Sequence, residues 1–174
     1  GNSCVGSSTV DITVTGLPAA PVVINQTQTI CLNGAVGAVS IAPAGTYNWY
    51  SDAGLSVPIA VVDDNAPTLV ELGFNNAVAA VTTVYVRATT AGCSGPATMV
   101  RLTVNSLPVA DAGSDAVICD GTSTILGGSP SATGGSGSYT YSWSPGTNLS
   151  SPSVANPVFT ASGAMALTTY TVTV

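Results

Sequence analysis

The sequence predicts an all-β protein made of tandem sandwich modules, and three observations carry that prediction. Charge is nearly absent, short Thr/Val-rich runs alternate with Gly, Pro, Asn and Asp turns, and the chain repeats itself at an interval of 90 residues. Only 6% of the 174 residues are charged, against about 25% in an ordinary soluble domain. The apolar runs are short and broken by Thr, Ser, Gly or Pro. None approaches the roughly 18 apolar residues of a spanning helix, so membrane insertion is not expected. The first residues, Gly-Asn-Ser-Cys, have neither a basic region nor an apolar core, so any export signal is expected to lie outside this chain.

Strand signals fall at 28–31, 35–41, 46–51, 59–62, 81–89 and 98–104, where β-branched residues alternate or cluster between turn residues. No segment has a helical period. Thr29-Ile-Cys-Leu-Asn-Gly34 is echoed by Val117-Ile-Cys-Asp-Gly121, and Tyr47-Asn-Trp-Tyr50 by Tyr139-Thr-Tyr-Ser-Trp143. The run Asp11-Ile-Thr-Val-Thr-Gly-Leu-Pro18 is echoed in register by Arg101-Leu-Thr-Val-Asn-Ser-Leu-Pro108. About seven short strands in some 90 residues, with Cys31 early, Trp49 on the third strand and Cys93 late, fit an immunoglobulin-like sandwich.

The repeat divides the chain into three parts. Residues 1–18 read as the closing strand of a preceding or neighbouring module, 19–107 as a complete immunoglobulin-like module, and 108–174 as a second module lacking its final strand. Joining Val174 to a following Gly1 places Tyr170 eight residues before Cys4, just as Tyr85 precedes Cys93 by eight. The chain therefore reads as one period of a polymer. It is expected to be either a window on a long polypeptide of tandem modules or a subunit that lends residues 1–18 to a neighbour. The preserved spacing favours the continuous polypeptide.

Side-chain chemistry excludes most catalysis. The chain has no His and no Lys, and Arg87 and Arg101 are its only cations beside eight acids. Ser-His-Asp and Cys-His systems, Schiff bases, a P-loop lysine and imidazole metal ligands are all ruled out. So is a lysine isopeptide cross-link. Two cations on a chain of net charge -6 do not neutralise a phosphate backbone, so nucleic acid is not an expected partner. No enzyme activity is expected.

The segments Pro108 to Ser123, Gly134 to Pro145 and Thr168 to Val174, with their Ile-Cys-x-Gly, Tyr-x-Trp and Thr-Thr-Tyr-x-Val elements, resemble the PKD-like and Ig-like tandem repeats of giant Bacteroidota cell-surface proteins. Residues 19–107 resemble the Ig-like module found beside them. The resemblance implies export, commonly by the type IX route, and display as adhesins, gliding filaments or spacers of secreted enzymes. It carries over no catalytic residues. Two departures, Val62-Asp-Asp-Asn65 and the Ser/Gly loop of 127–138, are places where a specific binding function would sit.

Four cysteines allow three pairings, and module order selects Cys31 with Cys93 within one module and Cys4 with Cys119 between successive copies. A zinc site lacks both His and a Cys-x-x-Cys spacing. Asp111, Asp115 and Asp120 near the Leu107-Pro108 boundary are candidate calcium ligands, with solvated loop acids as the alternative. Asp63-Asp64-Asn65 reads as a turn, and no paired-carboxylate hydrolase is indicated. Strand alternation sends Tyr47 and Trp49 to one face and Tyr50 to the other, and puts Tyr139, Tyr141 and Trp143 on a shared face. Trp49, Trp143, Tyr47 and Tyr141 are thus expected as core aromatics, with a carbohydrate platform as the rival reading. Asn25-Gln-Thr27 and Asn148-Leu-Ser150 match the glycosylation pattern, a weak signal in a bacterial protein.

The expected role is a structural and adhesive repeat of an extracellular cell-surface fibre. Its expected partners are copies of itself head to tail, and surface glycans or other cells. The alternatives are a carbohydrate-binding or spacer module of a secreted enzyme, and a donor-strand pilus subunit.

Overall fold

The described residues, 6–62, 65–163 and 167–174 of a computed structural model, form thirteen strands and no helix. The Thr/Val alternation becomes β1 (Val22–Ile24), β2 (Thr27–Cys31), β3 (Ser40–Ala42), β4 (Tyr47–Tyr50), β5 (Pro58–Ile59), β6 (Ala80–Thr90) and β7 (Cys93–Asn105). The second half supplies β8 (Val109–Ala110), β9 (Ser123–Ile125), β10 (Ala132–Thr133), β11 (Ser142–Ser144), β12 (Val158–Thr160) and β13 (Thr171–Thr173). The all-β, immunoglobulin-like class read from the sequence is the observed one.

Strands β2, β7, β6, β4 and β5 follow one another in a five-stranded sheet, and β1 pairs with β3 in a small one. Trp49 lies opposite Val86 across the antiparallel β4·β6 pair and opposite Ile59 across β4·β5. A two-residue turn joins β6 to β7, with φ of 49° at Ala91 and 80° at Gly92. Positive φ at both central residues is the type I′ geometry, whose twist matches that of a hairpin.

β2 joins the sheet differently. Arg101 N donates to Gln26 O (2.8 Å) and Leu32 N donates to Asn105 O (2.9 Å). Partners advance in the same direction on both strands, so β2 runs parallel to β7. β1 was not anticipated from the sequence, because Pro21 and Asn25 leave it only three residues. The expected strand at 35–41 is confined to Ser40–Ala42. Its first half curls instead around the side chain of Gln28, which accepts from Gly37 N (2.7 Å) and donates to Gly37 O (3.0 Å).

The chain forms two compact units by contact: Gly1–Gln28, Gly37–Phe74 and Thr82–Arg101 in the first, and Thr29–Val36, Asn75–Val81 and Leu102–Val174 in the second. The first unit buries Val23, Val39 and Ile41 together with Tyr47, Trp49, Leu72, Phe74, Val84, Val86 and Val100. Alternate residues of each strand point inward, as two facing sheets require. The second unit has a thinner interior, with Leu102, Val104, Ala132, Trp143 and Val172 buried. There β11 pairs antiparallel with β13, β9 with β12 and β8 with β10.

The Ser/Gly stretch at 127–138 is structured. It contains β10, the Ser131 hydroxyl donates to Gly128 O, and Asn156 Nδ2 reaches Leu126 O and Gly128 O. Asp63 and Asp64 lie outside the described residues.

Candidate functional site

Polar side chains in this fold are spent on turns. Asp52 shows the pattern: its carboxylate accepts from Val57 N (2.7 Å), Ser56 N (3.0 Å) and the Ser56 hydroxyl (2.8 Å). The Val57 amide above all, opposed by slight desolvation and aided by Ser56, holds the carboxyl below its ordinary value. Glu71 does the same for its loop, accepting from Thr68 N (2.7 Å), the Thr68 hydroxyl (2.8 Å) and Val62 N (2.8 Å). Its carboxyl is lowered chiefly by the Thr68 amide.

The three candidate calcium ligands are not gathered at one place. Asp111 Oδ1 accepts from Gly113 N (2.9 Å), and Asp120 Oδ1 accepts from Gly163 N (2.9 Å). Asp115 is exposed in an irregular segment. Among the described residues no group of three or more His, Cys, Asp or Glu side chains is placed to hold a metal ion.

The expected bridge between Cys31 and Cys93 is not formed: both are free thiols, Cys31 exposed and Cys93 half-buried. The strand pairing supplies the reason. Leu32, next to Cys31, bonds to Asn105, which closes β7, whereas Cys93 opens that 13-residue strand. A strand of that length extends about 40 Å at 3.3 Å per residue, and a disulfide needs Cα atoms within about 7 Å. Cys119 is likewise exposed and free, and Cys4 lies outside the described residues.

The aromatic residues are mostly interior. Tyr47, Trp49 and Trp143 are buried, and Trp143 Nε1 donates to Val154 O (2.9 Å). Tyr47 Oη donates to Pro43 O (2.7 Å). Tyr50 is also buried, on the other face of β4. There Arg87 Nη2 donates to its hydroxyl (2.8 Å) and the guanidinium lies 4.9 Å from the ring centroid. Tyr141, expected in the core, is only half-buried, because it precedes β11 and packs edge-on against Tyr139 instead (6.4 Å between ring centroids). Two open clefts in the first unit, of about 260 and 350 Å³, do not gather an acid, a base and a nucleophile.

Some of the described backbone lies outside every strand. Residues 6–17 have no regular structure and are exposed throughout. Val10, Ile12 and Val14 are 82, 81 and 90% accessible. In the second unit, residues 111–119 also form no strand, and β13 pairs only with β11 among the described residues.

A search of curated proteins finds no match to the chain. The family described as "Ig-like domain CHU_C associated", of Bacteroidota-type cell-surface proteins, matches residues 18–108. That span covers the strands β1 to β7, with Trp49 at their centre. No described helix is long and apolar enough to cross a membrane. Modules of this family are typically non-catalytic and occur in extracellular surface proteins, which suggests a structural or adhesive module. With more than half its length matched, the chain belongs to the CHU_C-associated Ig-like domain family.

Proposed function

We propose that this protein is a structural repeat of an extracellular cell-surface filament, which spans distance and presents adhesive surfaces without catalysing a reaction. The family match over residues 18–108 carries this reading. The chemistry of the side chains supports it: acids and hydroxyls stabilise turns, as Asp52 and Glu71 do, instead of converging in a cleft. A surface rich in Thr and Ser and poor in charge tolerates changes in ionic strength, because little of its stability is screened by salt.

In this reading the chain supplies two modules, residues 19–107 and 108–174, with residues 1–18 belonging to a neighbouring module. Partners are further copies of the chain and, through weak contacts multiplied along the fibre, glycans or other cells. The reading needs no cofactor. The carbohydrate-platform alternative loses support from the burial of Tyr47, Trp49 and Tyr50.

Antibody labelling of intact cells that make the protein tests the proposal. Labelling of extended surface structures without permeabilisation is the expected result. Labelling only after permeabilisation would overturn it.

A further inference from the structure

The five-stranded sheet segregates charge. Its strands β2, β4, β5, β6 and β7 hold both cationic side chains of the protein, Arg87 and Arg101, and none of its eight acids. The two arginines also share a face. Arg87 follows the buried Val84 and Val86 on β6, and Arg101 stands between the buried Val100 and Leu102 on β7. Alternation therefore turns both to the outer side of adjacent strands. A chain of net charge -6 thus presents a local cationic face on its central strands.

Arg87 is held in place there. Its Nε and Nη2 both donate to the Tyr50 hydroxyl (3.2 and 2.8 Å), and the guanidinium lies 4.9 Å from the centre of the Tyr50 ring. Asn48, directly opposite Arg87 across β4·β6, donates from Nδ2 to the Thr89 hydroxyl (2.7 Å). The bonds to Tyr50 use two of the five N–H donors of the guanidinium. Nη1 and the second hydrogen of Nη2 remain to meet the two oxygens of a carboxylate side by side. Tyr50 is buried, so it anchors the cation and offers no stacking surface of its own.

Arg101 complements it on the next strand. It is exposed, and among the described residues neither guanidinium forms an ion pair. Tyr85, half-buried and opposite Tyr50, and the exposed Met99 share this outer face. The acids that would ordinarily neutralise such arginines are used elsewhere, Asp52 and Glu71 by the amides of their own loops.

The positive charge is sparse, two points set among aromatic, apolar and hydroxyl-bearing side chains. A phosphate backbone or a densely acidic peptide carries charge at every unit and is repelled by the net charge of the chain. A polymer whose carboxylates are separated by neutral, hydroxyl-rich units matches the face. We infer that the outer face of β4, β6 and β7 binds a polysaccharide in which uronic acid units alternate with neutral sugars, Arg87 taking one carboxylate through Nη1 and Nη2 and Arg101 a second. This names the glycan class for the adhesive reading above and rests on that reading for the choice of partner. One such face per chain binds weakly, and repetition along a fibre multiplies it.

An NMR titration of the full chain is the test, with oligosaccharides in which glucuronic acid alternates with N-acetylglucosamine, and with the same oligosaccharides after reduction of their carboxyl groups to alcohols. The Nε–H signals of Arg87 and Arg101 are expected to shift with the carboxylated form and not with the reduced one, and salt at about 0.5 M to suppress the shift. Arg101→Gln and Arg87→Gln are each expected to weaken binding about tenfold, and Arg87→Lys, which keeps the charge and loses the fork, nearly as much. Arg101 is exposed and without a side-chain partner among the described residues, so Arg101→Gln leaves the fold intact whatever Arg87→Gln does to it. Absence of shifts with the carboxylated form overturns the inference, as do equal shifts with the reduced form or an Arg101→Gln variant that binds like the wild type. Tighter binding of polyglutamate than of the oligosaccharide overturns it in favour of an acidic protein partner. Failure of cell-surface labelling leaves this titration unchanged, so the two readings fail separately.

Discussion

Asp52 and Glu71 are the two side chains whose ionisation the fold uses most directly. Both carboxyls are held below their ordinary values by amide and hydroxyl donors of their own loops. The sign follows: a depressed folded-state value means these contacts contribute in full above the ordinary carboxylate range and are lost as pH falls through the depressed values. Hydrogen exchange of the Val57 and Thr68 amides should therefore accelerate below about pH 4 beyond the intrinsic pH dependence, and Asp52→Asn and Glu71→Gln should remove that step. Loss of protection already at neutral pH in the wild type would contradict it. Cysteine is the other residue-scale test. Peptide mapping without reduction should recover Cys31 and Cys93 unbridged. Cys31→Ser should change stability by less than about 0.5 kcal/mol, whereas a bridge closing a loop of some 60 residues contributes about 4 kcal/mol. A Cys31–Cys93 cystine peptide would refute the observed pairing of β2.

Among the elements, β4 carries the first module. Trp49 is 1% accessible and lies between Val86 and Ile59 on the neighbouring strands. Trp49→Ala should cost about 3–5 kcal/mol, read as a lowered denaturation midpoint with circular dichroism retained below it. A loss below about 1 kcal/mol would mean that the ring is not packed as described. Alternation made this element legible in the sequence, as it did Val84 and Val86 on β6 and Val100, Leu102 and Val104 on β7. Strand partners were not legible, because alternation reports which face a residue takes and not which strand lies beside it. The expected pairing of Cys31 with Cys93 fails for that reason, since nothing in Thr27–Cys31 announces a parallel neighbour. With Trp49 opposite Val86 and Trp143 opposite Val172, Tyr170 corresponds to Val84, one residue from Tyr85.

At the scale of the whole molecule, the 90-residue repeat sets the exposed Val10, Ile12 and Val14 in register with the buried Val100, Leu102 and Val104 of β7. The repeat was legible in the sequence because the alternation and its Thr, Val, Leu and Pro recur in register at 11–18 and 101–108.

The most direct measurement is antibody labelling of intact cells that make the protein. The account predicts labelling of extended surface structures without permeabilisation; labelling only after permeabilisation would contradict it.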